Sequence, residues 1–124
     1  MFELSQDFYF EAAHTLLRIH EADSSRRLHG HTYHASVTVR GEPDPHTGMV
    51  IDLAVLRAHI ESVKQALDHQ HLNDIDGLSM PTLENLASFI AHHIKEIEPR
   101  VTAVRVWRNA SGDSCLFQIP AVHP

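Results

Sequence analysis

The sequence predicts an α+β fold: a four-stranded antiparallel sheet with two helices packed on one of its faces. Three observations carry that expectation. Two long segments near the start alternate apolar and polar residues with a period of two. Two later segments, one after the other, repeat apolar residues at helical spacing. Two short strand-like segments close the chain. Strands grouped around a helical pair, rather than alternating strictly with helices, favour an antiparallel sheet over a parallel one. A chain of 124 residues, 43% hydrophobic and 21% charged, is read as one globular domain, residues 1–124, with a real core.

Each element has its own signature. Phe2, Leu4, Phe8, Phe10 and Ala12 alternate with Glu3, Ser5, Asp7 and Glu11, which predicts a half-buried strand ending near His14. A loop rich in charge and serine follows from about Thr15 to Arg27. The second strand is expected from His29 to Gly41, with Tyr33, Ala35, Val37 and Val39 on one face. The turn from Glu42 to Gly48 leads into a short strand, Met49 to Ile51. Asp52 caps a helix whose inward stripe is Leu53, Leu56, Ile60, Val63 and Leu67. Pro81 and Thr82 open the second helix, with Leu83, Leu86, Ile90, Ile94 and Ile97 inward and Pro99 beyond its end. Val101 to Arg108 and Cys115 to Ile119 are the closing strands, joined by the turn Asn109 to Asp113. A sheet this small has exposed edges, so pairing between subunits is expected.

Composition narrows the chemistry. Ten Lys and Arg against 16 Asp and Glu leave a net charge of -6, which argues against nucleic acid as a partner. No apolar run reaches the roughly 18 to 20 residues that a membrane helix needs. The opening residues lack the pattern of a secretion signal, so the expected location is cytoplasmic, with no membrane partner. A single cysteine, Cys115, excludes an internal disulfide and a four-cysteine zinc knot, and is read as an inert packed thiol.

Histidine is the lead, with 12 residues spread from His14 to His123. His14 shares a strand face with Phe8, Phe10 and Ala12, and sits where the first strand ends. His29 and His31 share a face with Tyr33 and Ala35, and sit where the second strand begins. Antiparallel pairing of those strands brings three imidazoles together at one end of the buried face. Three neutral histidines are the ligand set of a catalytic zinc ion that keeps one position open. Asp68-His69-Gln70-His71 is a second cluster with two readings. It is either an acid/base in which Asp68 orients His69, or a separate metal site on His69 and His71. A solvated helix end that complements the negative dipole is the bland alternative. His20, His34, His46, His59, His92, His93 and His123 are read as surface or packing residues.

The chain resembles the 6-pyruvoyltetrahydropterin synthase and 6-carboxytetrahydropterin synthase family. The resemblance rests on Phe10-Glu11-Ala12-Ala13-His14, Leu28-His29-Gly30-His31, Thr47-Gly48-Met49-Val50-Ile51-Asp52, Leu67-Asp68-His69 with Leu72-Asn73, and Pro81-Thr82-Leu83-Glu84-Asn85. It implies a tunnelling fold, in which such sheets assemble into a barrel, commonly as a homo-hexamer made of two trimers. It also implies Zn2+ on His14, His29 and His31, a pterin-like substrate such as 7,8-dihydroneopterin triphosphate, and carbon–oxygen lyase activity. For the 6-carboxy enzymes it implies a place in queuosine biosynthesis. Asp68 and His69 match the family's acid/base pair, and Thr82 and Glu84 match a segment that helps bind the pterin.

Two positions depart from the family pattern. The family's catalytic cysteine falls at Ser25, whose hydroxyl does not ionise near neutrality without strong activation. Glu21 and Asp23 lie upstream of the position and are not clean replacements. The glutamate that receives the pterin's amino-pyrimidine edge falls at Arg108, which offers donors only and suits an anionic ligand. Asp113, past the turn, is the alternative carboxylate. Three readings follow: a zinc-dependent lyase on a dihydropterin with Asp68, His69 and Ser25 at the chemistry; a paralogue using Arg108 for a changed, anionic substrate; and a non-catalytic metal- or pterin-binding assembly.

Overall fold

The computed structural model describes residues 1–18, 20 and 22–121, and the side chains of all of these except Ala22 and Ser25. Glu21 and His123 lie outside the described residues. Strand β1 spans Phe2–His14, the one-turn helix α1 Ala22–Arg26, and strand β2 His29–Gly41. Helix α2 spans Leu53–Leu67 and α3 Leu83–Ile97, with a 3-10 turn at Leu72–Asp74 between them. Strands β3, Val101–Arg108, and β4, Asp113–Gln118, close the chain. The four strands form one antiparallel sheet in the order β1-β2-β3-β4.

Alternation decides which face of the sheet is buried. Phe10, Ala12, Tyr33, Ala35, Val37, Val39, Val104 and Val106 point toward the two helices and form the floor of the core. Helix α2 adds Leu56, Ile60, Val63 and Leu67, and α3 adds Leu86, Ala87, Ile90, Ala91 and Ile94. Burying one such aliphatic side chain contributes about 1.5–3 kcal/mol, so these stripes are what hold the helices to the sheet. Side-chain caps start both helices: Asp52 accepts from the Ala54 amide and Thr82 from the Asn85 amide. Among the described residues no helix is long and apolar enough to cross a membrane.

The structure departs from the expected elements in four respects. Met49 to Ile51 is not a strand. Val50 and Ile51 do bury their side chains, but the Val50 carbonyl accepts from Arg100 Nη1 and the Met49 carbonyl from the Asp44 amide, so side-chain and turn bonds replace a ladder. The expected loop contains α1, a helix too short to show a periodic apolar stripe. Strand β4 begins at Asp113, two residues earlier than expected, because Gly112 takes a positive φ of 77° and tightens the turn so that Asp113 pairs with Arg108. The outer ends of the two apolar stripes, Leu53 and Ile97, are exposed rather than inward: Leu53 is the first residue of α2, and Ile97 ends α3 where the chain turns into the buried Glu98.

Candidate functional site

The β1–β2 register pairs His14 with His29 and Ala12 with His31. All three imidazoles therefore sit at one end of the sheet, on the core face, and one ring nitrogen from each lies within 4.8 Å of the others. His14 is buried and the other two are partly exposed.

Hydrogen-bond partners fix which nitrogen of each ring is free. His14 Nδ1 lies 3.1 Å from the Pro81 carbonyl, which can only accept, so Nδ1 carries the proton and Nε2 a lone pair. Tyr33 Oη is a second neighbour of the same Nδ1 at 3.2 Å. His29 Nδ1 donates to the Arg27 carbonyl at 2.6 Å, again leaving Nε2 free. His31 Nε2 accepts from Arg108 Nη1 at 3.2 Å, because a guanidinium can only donate. Yet His31 Nε2 and His14 Nε2 approach to 3.0 Å. Two acceptors at that distance repel unless a cation lies between them, and backbone carbonyls orient two of the rings from behind. The donor set therefore fits a metal of the zinc type, which takes neutral imidazoles oriented by their second nitrogen. Burial is the largest cause lowering the pKa of both His14 and His31, the latter to about 4 with help from Arg108, so both rings are neutral at pH 7.

Asp68 and His69 are set by the edge of β1. The Glu11 amide donates to Asp68 Oδ1 at 2.9 Å, the Glu11 carbonyl accepts from the His69 amide at 2.6 Å, and the Ala13 amide donates to the Gln70 carbonyl at 3.0 Å. This docking holds His69 at φ 58°, the left-handed region that a non-glycine residue enters at a cost of order 1–3 kcal/mol. His69 Nδ1 lies 3.0 Å from Asp68 Oδ2, and its ring is 78% exposed. The Glu11 amide is the main cause holding the Asp68 carboxyl below its ordinary pKa, with His69 adding to it. His69 and His71 line a cleft of about 530 Å³ together with His31, Glu11 and Thr32. His71 Nδ1 engages its own carboxylate, Asp74 Oδ2, at 3.0 Å. Among the described residues, the group of three or more His, Cys, Asp or Glu side chains close enough to share an ion is His14, His29 and His31; His69 and His71 belong to no such group.

A second cleft, of about 360 Å³, is lined by His14, Tyr33, Thr82, Glu84, Arg108 and Asp113. The expected substrate residues Thr82, Glu84 and Arg108 thus face one space, beside the histidine cluster. The Arg108 side chain is 19% exposed and Nη2 donates to Asp113 Oδ2 at 2.6 Å. Asp113 also accepts from Ser111 Oγ, and these two bonds hold its carboxyl below its ordinary pKa. Asp113, the alternative carboxylate, is therefore in the cleft but engaged by Arg108. Ser25 belongs to α1, and its side chain is outside the described residues. Cys115 is half-buried in β4, with its thiol pKa raised by burial, as an inert thiol would be. Sequence reasoning placed Tyr33 in the core and missed its contact with His14, although its face, shared with His29 and His31, was the available signal.

Residues 3–118 match the family model described as 6-pyruvoyl tetrahydropterin synthase. The chain is 42% identical over 101 residues to the 6-carboxy-5,6,7,8-tetrahydropterin synthase of Synechocystis sp., covering 77% of each. It is 34% identical over 111 residues to the 6-pyruvoyl tetrahydrobiopterin synthase of Pongo abelii, covering 78% of this chain and 77% of that one. Its fold matches the solved 6-pyruvoyl tetrahydropterin synthase of Caenorhabditis elegans with a TM-score of 0.82, 25% identity and 96% coverage of both chains.

Proposed function

The chain belongs to the 6-pyruvoyl tetrahydropterin synthase family, and from that premise we propose that it is a zinc-dependent carbon–oxygen lyase acting on a dihydropterin such as 7,8-dihydroneopterin triphosphate. The observation that carries the reading is the set of converging ring nitrogens on His14, His29 and His31, two of them oriented by backbone carbonyls. A bound zinc ion supplies Lewis acidity at the substrate side chain, which makes the neighbouring C–H more acidic.

The protein's own residues do the rest. Asp68 accepts from His69 Nδ1 and so leaves Nε2 to take up or release the proton in the cleft shared with His31. Ser25 stands where the family resemblance puts a thiol, and its hydroxyl is a weak base at neutral pH, so proton transfer falls to His69. Thr82 and Glu84 line the cleft beside His14, where Glu84 can accept from ring N–H groups. The reading includes a cytoplasmic homo-hexamer built as two trimers, supported by β1 and β4 as the two edges of the sheet.

The test is incubation of zinc-loaded protein with 7,8-dihydroneopterin triphosphate, with products followed by mass spectrometry. A 6-carboxy or 6-pyruvoyl tetrahydropterin product is expected, and His69→Ala should lower its rate by about 10²–10⁴-fold. Binding without turnover would instead support the non-catalytic assembly.

A further inference from the structure

We propose that Arg108 makes its wall of this cleft an oxyanion subsite: there, beside the histidine cluster, it selects a ligand group that presents carboxylate or phosphate oxygens rather than N–H donors. The inference rests on the proposed reading that the three histidines hold a metal ion, and it names the chemical class of the group that binds at this wall.

Arg108 Nη2 is taken by Asp113 at 2.6 Å and Nη1 by His31 Nε2 at 3.2 Å. Nε is buried and has no hydrogen-bond partner among the described residues. A buried donor left without an acceptor costs stability or calls for a ligand. His31 Nε2 has one lone pair, which serves either Arg108 or a metal ion. Once a metal takes it, Nη1 loses its acceptor and joins Nε, and only an acceptor group can satisfy them.

Position and charge point the same way. Any acceptor within reach of Nη1 is also near His31 Nε2, because those two atoms are 3.2 Å apart. One oxyanion can therefore span the guanidinium and the open coordination position. The cleft carries Arg108 against Glu84 and Asp113, so a divalent ion would leave the locality cationic and favour an anionic ligand. The Arg108–Asp113 pair is fixed by the β3–β4 ladder, where the two residues are direct partners, so the guanidinium is held facing the cluster. A ligand edge made of N–H donors would meet donors at this wall, as Arg has no acceptor.

The test uses full-length protein loaded with cobalt(II), whose visible spectrum reports its coordination. Wild type, Arg108→Gln and Asp113→Asn are each titrated with inorganic phosphate and, separately, with acetate, and elemental analysis gives the metal content of each. Wild type should respond to at least one anion, which identifies phosphoryl or carboxylate chemistry. Arg108→Gln should keep its metal and need about ten to a hundred times more of that anion, the cost of a charge-assisted hydrogen bond. Asp113→Asn, which keeps Arg108 and removes the competing negative charge beside it, should bind the anion more tightly and tests the proposal even if the glutamine variant fails to fold. Full metal content with anion affinity that is the same in wild type and both variants overturns the oxyanion proposal and leaves the metal reading standing. Absence of bound metal in wild type overturns both.

Discussion

The two ends of the sheet bury polar groups in opposite ways. At the far end, Glu98 is 5% exposed and its carboxylate accepts from the Arg100 amide, Nε and Nη2, while Nη1 donates to the Val50 carbonyl. Lys95 Nζ adds bonds to the carbonyls of Pro99 and Val101. Every donor there meets an acceptor, and the network ties the end of α3 to β3 and to the Val50 turn. At the near end, His14 Nε2 faces His31 Nε2, acceptor against acceptor, and Arg108 Nε has no partner among the described residues. A closed network stabilises the fold by itself; an open one waits for something to complete it. Buried polar atoms thus mark structure at one end and an incomplete set of partners at the other.

The largest expected effect breaks the open end. His29→Ala removes one of the three converging imidazoles and should lower zinc affinity by more than about a hundredfold, since even outer-shell changes cost ten to a hundredfold. Competition with a chromophoric chelator measures it, and unchanged affinity would remove the metal centre from this fold. The far end should respond in a different currency. Glu98→Gln should cost about 2 kcal/mol in urea unfolding and leave zinc affinity as it was. Arg100 holds the Glu98 carboxyl below its ordinary value, so the pair's contribution is present above the unfolded pKa and is lost as pH falls through the native one. Wild-type stability should therefore fall below about pH 4.5 more steeply than that of the glutamine variant. Equal acid limbs would show that the network is not what closes this end.

Much of the near end was legible because a strand has a period of two. Phe8, Phe10 and Ala12 give the parity of β1, Tyr33 to Val39 that of β2, and antiparallel pairing of the two puts His14 against His29. The apolar stripes of α2 and α3 were legible for the same kind of reason. What stayed hidden depends on distant partners. The left-handed backbone of His69 exists because its amide reaches the Glu11 carbonyl on β1, which no local pattern around His69 records. Met49 to Ile51 looks like a strand from its apolar residues alone, yet Arg100 supplies the bond that a neighbouring strand would have made. The Arg108–Asp113 pair hinges on the length of one turn, and turn length sets register.

The smallest expected effect asks which neighbour orients His14. Tyr33 is fully buried, its ring stacks on Phe10 with centroids 5.2 Å apart, and burial raises its pKa so that it stays a phenol. Its oxygen and the Pro81 carbonyl share the proton on His14 Nδ1, at 3.2 and 3.1 Å. The carbonyl is fixed in the chain just before α3, whereas a hydroxyl can turn away, so the carbonyl should dominate. Tyr33→Phe keeps the packing and removes only the oxygen, so stability should fall by no more than about 1 kcal/mol. Zinc affinity should fall by at most about tenfold, because the proton on Nδ1 keeps an acceptor. A loss near a hundredfold would mean that the phenol fixes the tautomer. The open end would then rely on a side chain for its order, where the far end relies on an ion pair.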